Sequence, residues 1–376
     1  MGTSHVTFPG QDTKGYELLT LIAVCGDFPA DLLNRLPGST SYHEALISSL
    51  KKNKLIRVYY RDKLRSYRLG IRAKKILLEL QPSRFCFYLT GNADTNLLKS
   101  EITRRIRLQK ISEIYVSMQN AGISIYRDEK PEVFSPKGVG ISSMEQPVFY
   151  NSREIKEAGI ETVKIRGSRM TGVLLTASDI YITYNGSPYP VKWDYQAEYR
   201  AKMLLQIMLC QQRMPLLYAG CSACGLLFCT GWDSFYQILS DADSATRCFF
   251  LLDGTYEHFY YLTKDHHRDI LLKLLCDEKL SAELNRILTL DLCEKIPGLP
   301  FEHDALDQQG NPVLFAYLPD IPKINRFFTA LNLQERNGTL ICFDFQKSVM
   351  ERLCKDNVQL QTISFEKFER RFYRSI

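Results

Sequence analysis

The most constraining feature of the sequence is a basic hairpin close to the amino terminus. Residues 56–60 and 66–69 alternate between apolar and polar side chains, and the polar stretch 61–65 separates them. Successive side chains of a β-strand point to opposite faces, so this alternation predicts two half-buried strands joined by a turn. A two-stranded hairpin is only marginally stable alone, so neighbouring elements must cover its apolar face.

Three helical segments precede the hairpin and can supply that cover. Residues 16–28, 29–36 and 42–56 carry apolar side chains at helical spacing, and the tight turn at residues 37–41 offers an N-cap for the third segment. We expect the third helix to bury Ala45, Leu46, Ser49 and Leu50. Three helices followed by a basic hairpin predict an α+β winged helix-turn-helix domain, which we place at residues 15–90.

Positive charge is concentrated in the same part of the chain. The whole chain has a formal net charge of +6, but residues 51–110 hold seventeen Lys and Arg against four acidic residues. That segment therefore carries +13, which leaves −7 for the rest of the chain. Such an asymmetry is typical of a nucleic-acid-binding part joined to a neutral or acidic domain.

A long helix continues the basic region. Residues 97–121 have helical spacing, and Gly122 is expected to end the helix. Its expected buried stripe is Leu98, Ile102, Ile106, Ile111, Tyr115 and Met118. Another face carries basic residues at three-residue spacing, Arg104, Arg107 and Lys110, beside Arg105. Residues 91–122 are therefore expected to connect the two halves of the protein and to add phosphate contacts.

These patterns predict a set of residues that contact double-stranded DNA. A helix of this kind fits the major groove, and a basic hairpin tip reaches an adjacent groove or the phosphates. The expected contacts are Ser39, Thr40, Ser41, Tyr42 and His43 at the start of the third helix, Arg61, Lys63, Arg65 and Arg68 in the hairpin, and Arg104 and Arg107. The alternative is a winged helix that binds protein, with a hairpin tip that is merely solvated.

Composition places the protein among soluble globular chains. Hydrophobic residues make up 45% and charged residues 24% of 376 residues, which allows two or three domains. No apolar run is long enough to cross a membrane, and the first residues do not resemble a signal peptide. We therefore expect a cytoplasmic protein, no membrane contact, and eleven cysteines in the reduced state.

The carboxyl-terminal part is predicted to be a separate α/β domain. A flexible segment 1–14 begins the chain, and a loop-rich linker at 123–148 precedes the domain at 149–376. In that domain strands and helices alternate. They include a hairpin of residues 170–176 and 180–184, strands at 216–218 and 248–252, and a short helix capped by Ser152.

Two groups of metal-binding residue types occur in this domain, and we expect neither to hold a metal. Adjacent histidines such as His266 and His267 at the start of a helix point to different faces, so they are interpreted as a solvated helix cap. Cys221 and Cys224 have chelating spacing, but a structural zinc site needs a second pair at comparable spacing. Whether these two thiols bind metal stays open.

Enzymatic motifs are not found in the sequence. It contains no phosphate-binding loop, no dinucleotide-binding glycine motif and no nucleophile elbow. A Mg²⁺-dependent nuclease would need carboxylates and a lysine on neighbouring strands. Glu161, Lys164, Asp179 and Asp194 are the candidates, but the spacing of the first two does not put them on one face of a strand. The turn residues Asp253 and Glu257 are weaker candidates still.

Residues 15–126 resemble the winged-helix part of the replication-relaxation family of Gram-positive plasmids and integrative or conjugative elements. The resemblance lies in LLTLIAVCGDFPADLLNRL, in the helix that ends LKKNKLI, in YYRDKLRSYRLGIRAKKIL and in KSEITRRIRLQKISEIYVSMQNAG. It implies a DNA-binding accessory of mobile-element replication or transfer, with replication or transfer proteins as partners. It also implies a second domain akin to a degenerate nuclease fold, and it transfers no catalytic residue.

The sequence thus favours a non-enzymatic protein that binds double-stranded DNA without a cofactor. Two alternatives remain open: a Mg²⁺-dependent nuclease that uses the second domain, and a dimeric transcriptional regulator whose second domain senses a ligand or partner. For the favoured function, neutralising five to eight phosphates would give log affinity against log salt a slope of roughly −5 to −7.

Overall fold

A computed structural model describes residues 8–91, 101–136, 140–159, 165, 167–186, 193–240 and 254–373. The chain divides into two compact units, Met1–Glu132 and Val133–Ile376. Both units combine helices with sheets, so the protein is of mixed α and β structure. Among the described helices, none has the length and apolar character that crossing a membrane requires.

The first unit places a small sheet among five helices. The described helices are α1 (Lys14–Cys25), α2 (Thr40–Lys52), α3 (Ile71–Leu80), α4 (Pro82–Leu89) and α5 (Ile102–Asn120). The strands are β1 (Phe28–Pro29), β2 (Ile56–Arg61) and β3 (Leu64–Leu69), and a 3-10 helix, Ala30–Arg35, follows β1. The sheet is antiparallel, with the strand order β1-β3-β2.

Helix α1 forms the centre of this unit. Thr13 caps the helix by accepting a hydrogen bond from the backbone N–H of Tyr16, and Gly26 ends it with a φ of 76°. Glycine adopts this conformation without steric cost, which explains why the helix ends three residues before the predicted boundary. Leu19, Ile22 and the residues around them are almost fully buried.

Helix α2 turns a different face inward from the one predicted. Its buried residues are His43, Ile47 and Leu50, whereas Ala45 and Ser49 are exposed. Leu46 and Ile47 are adjacent, and either can head an apolar stripe at helical spacing. Burying Ile47 rotates the helix by about one residue, roughly 100°, relative to the expected face.

Helix α5 belongs to the first unit and does not form a separate connection between units. Ile111, Tyr115 and Met118 of the predicted stripe are buried. Ile102 and Ile106 are 41% and 39% exposed, so the first two turns do not follow that stripe. Arg105 is buried there instead. Leu98 lies outside the described residues.

The second unit is built on two sheets. Its described helices are α6 (Ser152–Ile155), α7 (Tyr195–Ile207), α8 (Pro215–Tyr218), α9 (Asp233–Ser240), α10 (His266–Cys276), α11 (Glu278–Leu288), α12 (Ile321–Leu333), α13 (Lys347–Leu353) and α14 (Phe365–Phe372). The strands are β4 (Val148–Asn151), β5 (Gly172–Leu175), β6 (Ile180–Asn185), β7 (Cys224–Cys229), β8 (Phe259–Thr263), β9 (Ala305–Leu306), β10 (Pro312–Phe315), β11 (Gly338–Phe343) and β12 (Val358–Ile363).

Both sheets are mixed and share one hydrophobic core. The orders are β4-β5-β6-β7-β8 and β12-β11-β10-β9. In the five-stranded sheet, β4, β5 and β6 are antiparallel neighbours, and β7 and β8 follow in parallel with β6. Core residues from both sheets, such as Val173 and Leu340, belong to a single cluster.

Several predictions for the second unit are confirmed and two are wrong. The hairpin of β5 and β6 is present, with Leu175 opposite Ile180. The predicted strand at 216–218 is the short helix α8, which Pro215 begins. The cap of α6 is Asn151 instead of Ser152, because the Asn151 side chain accepts hydrogen bonds from two backbone N–H groups. A predicted strand at 248–252 lies outside the described residues.

Candidate nucleic-acid interface

The β2–β3 hairpin has one apolar and one polar face. The register pairs Val58 with Tyr67 and Ile56 with Leu69. Ile56, Tyr67 and Leu69 are buried in the apolar core, and Val58 is half-buried. The alternate residues of β3, among them Ser66, turn to the opposite face. The hairpin is thus packed on both sides, which fixes the direction in which its tip points.

Asp27 is the centre of a buried ionic cluster on the polar face. The side chain is 0% exposed, and its Oδ1 accepts hydrogen bonds from Ser66 Oγ at 2.6 Å and Arg68 Nε at 2.7 Å. Its Oδ2 accepts from Arg105 Nε at 3.1 Å and Gln109 Nε2 at 3.2 Å. One carboxylate between two guanidinium groups satisfies the requirement that a buried charge be paired and hydrogen-bonded.

Arg105 joins helix α5 to the base of the hairpin tip. Its Nη1 donates to the carbonyl of Arg61 at 2.9 Å, and its Nη2 donates to the carbonyl of Leu64 at 3.1 Å. These two residues face each other across the last pair before the turn. The ring of Tyr59 lies 4.6 Å from the guanidinium carbon of Arg105. The tip is therefore anchored by side-chain contacts as well as by its own strands.

The hairpin tip itself is exposed and basic. Asp62 and Lys63 form the turn with φ values of 54° and 60°, the left-handed pair of a two-residue hairpin loop. Arg61, Lys63 and Arg65 are all exposed, as the sequence predicts. Arg61 also lies 3.5 Å from the Asp62 carboxylate, an exposed pair that solvent and salt screen.

Tyr60 is a surface residue that sequence reasoning missed. It is 68% exposed and lies opposite Arg65 across the hairpin. Strand alternation puts these two residues on the same face as Val58 and Tyr67, beyond the end of the apolar core. The signal in the sequence is an apolar position of the alternating pattern that lies next to a basic turn.

The start of helix α2 presents four of the five predicted contact residues. The Ser39 side chain caps the helix by accepting from the backbone N–H of Tyr42 at 3.2 Å. Thr40, Ser41 and Tyr42 are exposed, and Tyr42 is 46% exposed. A helix amino terminus with free N–H groups attracts phosphate oxygens.

His43 and Arg68 are corrections to the predicted contact set. His43 is 5% exposed, and its Nε2 lies 3.3 Å from the carbonyl oxygen of Pro37. Arg68 is 3% exposed and is paired with Asp27. Both side chains point into the unit because their positions lie on the inward faces of α2 and β3, so neither is available to an external DNA backbone.

The surface charge of the region is lower than the sequence count indicates. Arg68 and Arg105 neutralise Asp27 in the interior. Arg84 donates to Asp128 at 2.8 Å and to Glu129 at 2.6 Å. Arg104 and Arg107 remain exposed on the first turns of α5, on either side of the anchored Arg105. These two side chains add exposed positive charge to helix α5.

The histidines of the second unit make structural contacts. Helix α10 is capped by Asp265 and not by either histidine. The Asp265 carboxylate accepts a hydrogen bond from the backbone N–H of Arg268 at 3.2 Å. His266 Nε2 lies 2.6 Å from Glu369, and the ring of His267 stacks on Phe345 with 3.9 Å between centroids. The two rings have different partners, as expected for adjacent helical positions.

The thiols at chelating spacing also make separate contacts. Cys221 Sγ donates to the carbonyl of Ser178, and Cys224 Sγ contacts the carbonyl of Ser222. Burial raises the pKa of the Cys224 thiol to about 12, which disfavours the thiolate that a metal or a redox reaction requires.

The carboxylates considered for a nuclease do not form a metal site among the described residues. Asp194 caps α7 by accepting from the backbone N–H of Ala197, and Asp179 lies in the turn between β5 and β6. Glu257 is exposed, whereas Glu161, Lys164 and Asp253 lie outside the described residues. In the described ranges, no group of three His, Cys, Asp or Glu side chains is arranged to hold a metal ion.

Comparisons with known proteins identify no relative. No protein-family model, no curated protein and no solved structure matches the chain.

Proposed function

We propose that the first unit is a winged-helix domain that binds double-stranded DNA. The observation that carries the proposal is the exposed basic hairpin tip, which Arg105 holds in place from the interior. Arg104 and Arg107 add exposed positive charge on α5. The order of α1, β1, the 3-10 helix, α2, β2 and β3 supports it, as does the antiparallel order β1-β3-β2. In this arrangement α2 would enter the major groove, and the hairpin would be the wing.

The two surfaces are proposed to contribute differently to binding. The cations of the hairpin and α5 contact phosphates, which sets affinity and position but carries no base information. Ser39, Thr40, Ser41 and Tyr42 occupy the end of the helix that would meet base edges or phosphates. Sequence preference would therefore depend on α2, and salt dependence on the wing.

We also infer, from the resemblance to the replication-relaxation family, that the protein is a non-enzymatic accessory of mobile-element replication or transfer. A selection from random DNA would separate this role from that of a transcriptional regulator. A palindromic site bound by a dimer favours the regulator. A single asymmetric site near an origin of replication or transfer favours the accessory.

The DNA-binding proposal can be tested by fluorescence anisotropy with a labelled random duplex at several salt concentrations. We expect a slope of log affinity against log salt of roughly −5 to −7. Replacing Arg61, Lys63 and Arg65 together with alanine should make the slope shallower by about 3, since each phosphate contact contributes about 0.9.

A matched control removes the same charge from the second unit. Lys279, Lys295 and Lys367 are exposed there, and their joint replacement with alanine lowers the net charge equally. If the wing binds phosphate, this control keeps the slope of the unmodified protein. A slope near zero for the unmodified protein, or equal losses in both triple variants, would contradict the proposal.

A further inference from the structure

A pocket of about 260 Å³ lies in the second unit. The surrounding residues come from β6, β8, β10, α11 and the start of α12. Its aromatic residues are Tyr181, Tyr260, Phe315 and Tyr317. The rings of Tyr181 and Tyr260 meet edge to face, with 5.9 Å between centroids. The pocket is large enough for a ligand of several heavy atoms and has π-faces that could contact it.

The hydroxyl of the buried Tyr181 has no hydrogen-bond partner among the residues that the structure describes. The residue is 3% exposed, and within the described chain its hydroxyl makes no hydrogen bond. The hydroxyl oxygen of Tyr181 is not fully enclosed by the protein, so part of its surface remains accessible. Because Tyr181 lines the pocket and is otherwise buried, that surface faces the pocket. Buried tyrosine hydroxyls normally have a partner, so a water molecule or a ligand group inside the pocket supplies one.

The charges around the pocket are mostly negative. Four carboxylates line it, those of Asp179, Glu278, Asp304 and Asp320, against the cations Lys323 and His258. The local net charge is therefore −2 with His258 protonated and −3 with it neutral. Burial raises the pKa values of Tyr181 and Tyr260, and nearby carboxylates raise them further. An anionic ligand would be repelled here.

Of the four carboxylates, two have a cationic side chain as a partner and two do not. Asp304 accepts from Lys323 Nζ at 2.6 Å, and Asp320 lies 2.6 Å from His258 Nδ1. Both also accept a backbone N–H, from Phe315 and Phe259 respectively. In the described chain, the only side chain that donates a hydrogen bond to the Asp179 carboxylate is the neighbouring Ser178 hydroxyl. Glu278 has no ion-pair partner in the described chain.

We propose that this pocket is a binding site for a small organic cation of the alkylammonium or guanidinium class. The ammonium or guanidinium N–H groups would donate to the Asp179 carboxylate and to the Tyr181 hydroxyl oxygen. The aromatic walls would contact the cation through their π-faces. This inference goes beyond DNA binding and does not depend on it.

Small probes built on four-carbon chains with terminal groups of different charge test the proposal by isothermal titration calorimetry on the full chain. Putrescine and agmatine are the cationic probes, 1,4-butanediol is the neutral one, and succinate is the anionic one. We expect the two cations to bind with a Kd below about 1 mM and the other two probes not to bind at that level. Absence of binding by both cations, or equal binding of butanediol or succinate, would overturn the proposal.

Two variants probe the assigned residues, with a third as the control. Tyr181→Phe removes only the hydroxyl and should weaken cation binding by roughly five- to tenfold. Asp179→Asn removes one uncommitted charge and should weaken it by about tenfold or more. Glu283→Gln removes a charge from α11, the helix that carries the pocket residue Glu278, but Glu283 lies outside the pocket and pairs with Arg286.

We expect the control to change the affinity less than twofold, about the noise of the measurement. Circular dichroism checks that each variant is folded. If both pocket variants bind the cations as the unmodified protein does, or if the Glu283 variant loses as much affinity as they do, the site assignment is wrong.

Discussion

Replacing Arg105 with methionine should destabilise the first unit far more than replacing its neighbour Arg104 with alanine. Both changes remove one positive charge from α5. Arg105 is 0% exposed and donates hydrogen bonds to the Asp27 carboxylate, to a hydroxyl and to two strand carbonyls, whereas Arg104 is exposed. The comparison therefore isolates the effect of burial from that of charge.

The magnitude follows from the contacts that are lost. Breaking a buried ion pair by removing one partner typically costs about 3–5 kcal/mol, because the remaining charge stays in the interior. In the variant, Asp27 keeps its bond to Arg68, so we expect the lower end, about 3 kcal/mol. For a cooperative unit of this size, the loss lowers the Tm of the first unit by roughly 10 °C. Replacing Arg104 with alanine should change stability by less than about 0.5 kcal/mol.

Guanidinium chloride unfolding monitored by circular dichroism measures both free energies, and DNA binding provides the complementary readout. The Arg104 variant should lose affinity for DNA at unchanged stability. The Arg105 variant should lose stability first, and at temperatures where it is folded its wing should be less well oriented. A loss below about 1 kcal/mol for Arg105→Met, or equal losses in the two variants, would refute the buried-anchor interpretation.

Three further outcomes are expected. Tyr60→Ala should weaken DNA binding by about tenfold at unchanged stability, because the exposed ring beside a basic tip is suited to contact DNA. Tyr60→Phe, which keeps the ring, should keep the affinity. Anisotropy measures the affinity, and thermal melts measure the stability. Lys63→Gly should stabilise the hairpin by about 1 kcal/mol in chemical unfolding, since Lys63 has a φ of 60° that costs a non-glycine residue energy. The hydrogen bond to Asp320 raises the pKa of His258 despite partial burial. The protonated His258 side chain therefore stabilises the fold fully below the unfolded pKa of about 6.5. This stabilisation is lost as the pH rises through the raised folded pKa. Unfolding at about pH 6 and about pH 9 should therefore show a larger deficit for His258→Gln at the lower pH, and an equal or larger deficit at the higher pH would contradict this sign.

Local patterns in the sequence were sufficient to predict the hairpin and most of the helices. The two strands alternate strictly around a polar turn, so their register and their exposed tip follow from neighbouring residues. Helix α2 was predicted in place but on the wrong face, because Leu46 and Ile47 compete for the interior. Helices α3, α4, α9 and α14 were not placed. Each has ten residues or fewer, so its apolar spacing repeats over fewer than about three turns.

The ionic cluster could not be predicted because its members are far apart in the chain. Asp27 is 41 residues from Arg68 and 78 residues from Arg105, and no local pattern records such a pairing. From the sequence alone, Arg68 and Arg105 look like every other cation of the basic segment. The available signal was Asp27 itself, a single acidic residue between Gly26 and Phe28.

The anchor supplied by α5 has a practical consequence for dissecting the protein. A fragment that stops at residue 90 would contain Asp27 and the whole hairpin but would lack Arg105 and Gln109. Such a truncation would leave half of the Asp27 carboxylate without its donors and the last strand pair without its support. The smallest portable piece that preserves the wing must therefore extend through Asn120, and grafting this wing onto another scaffold would require the first turns of α5 to travel with it.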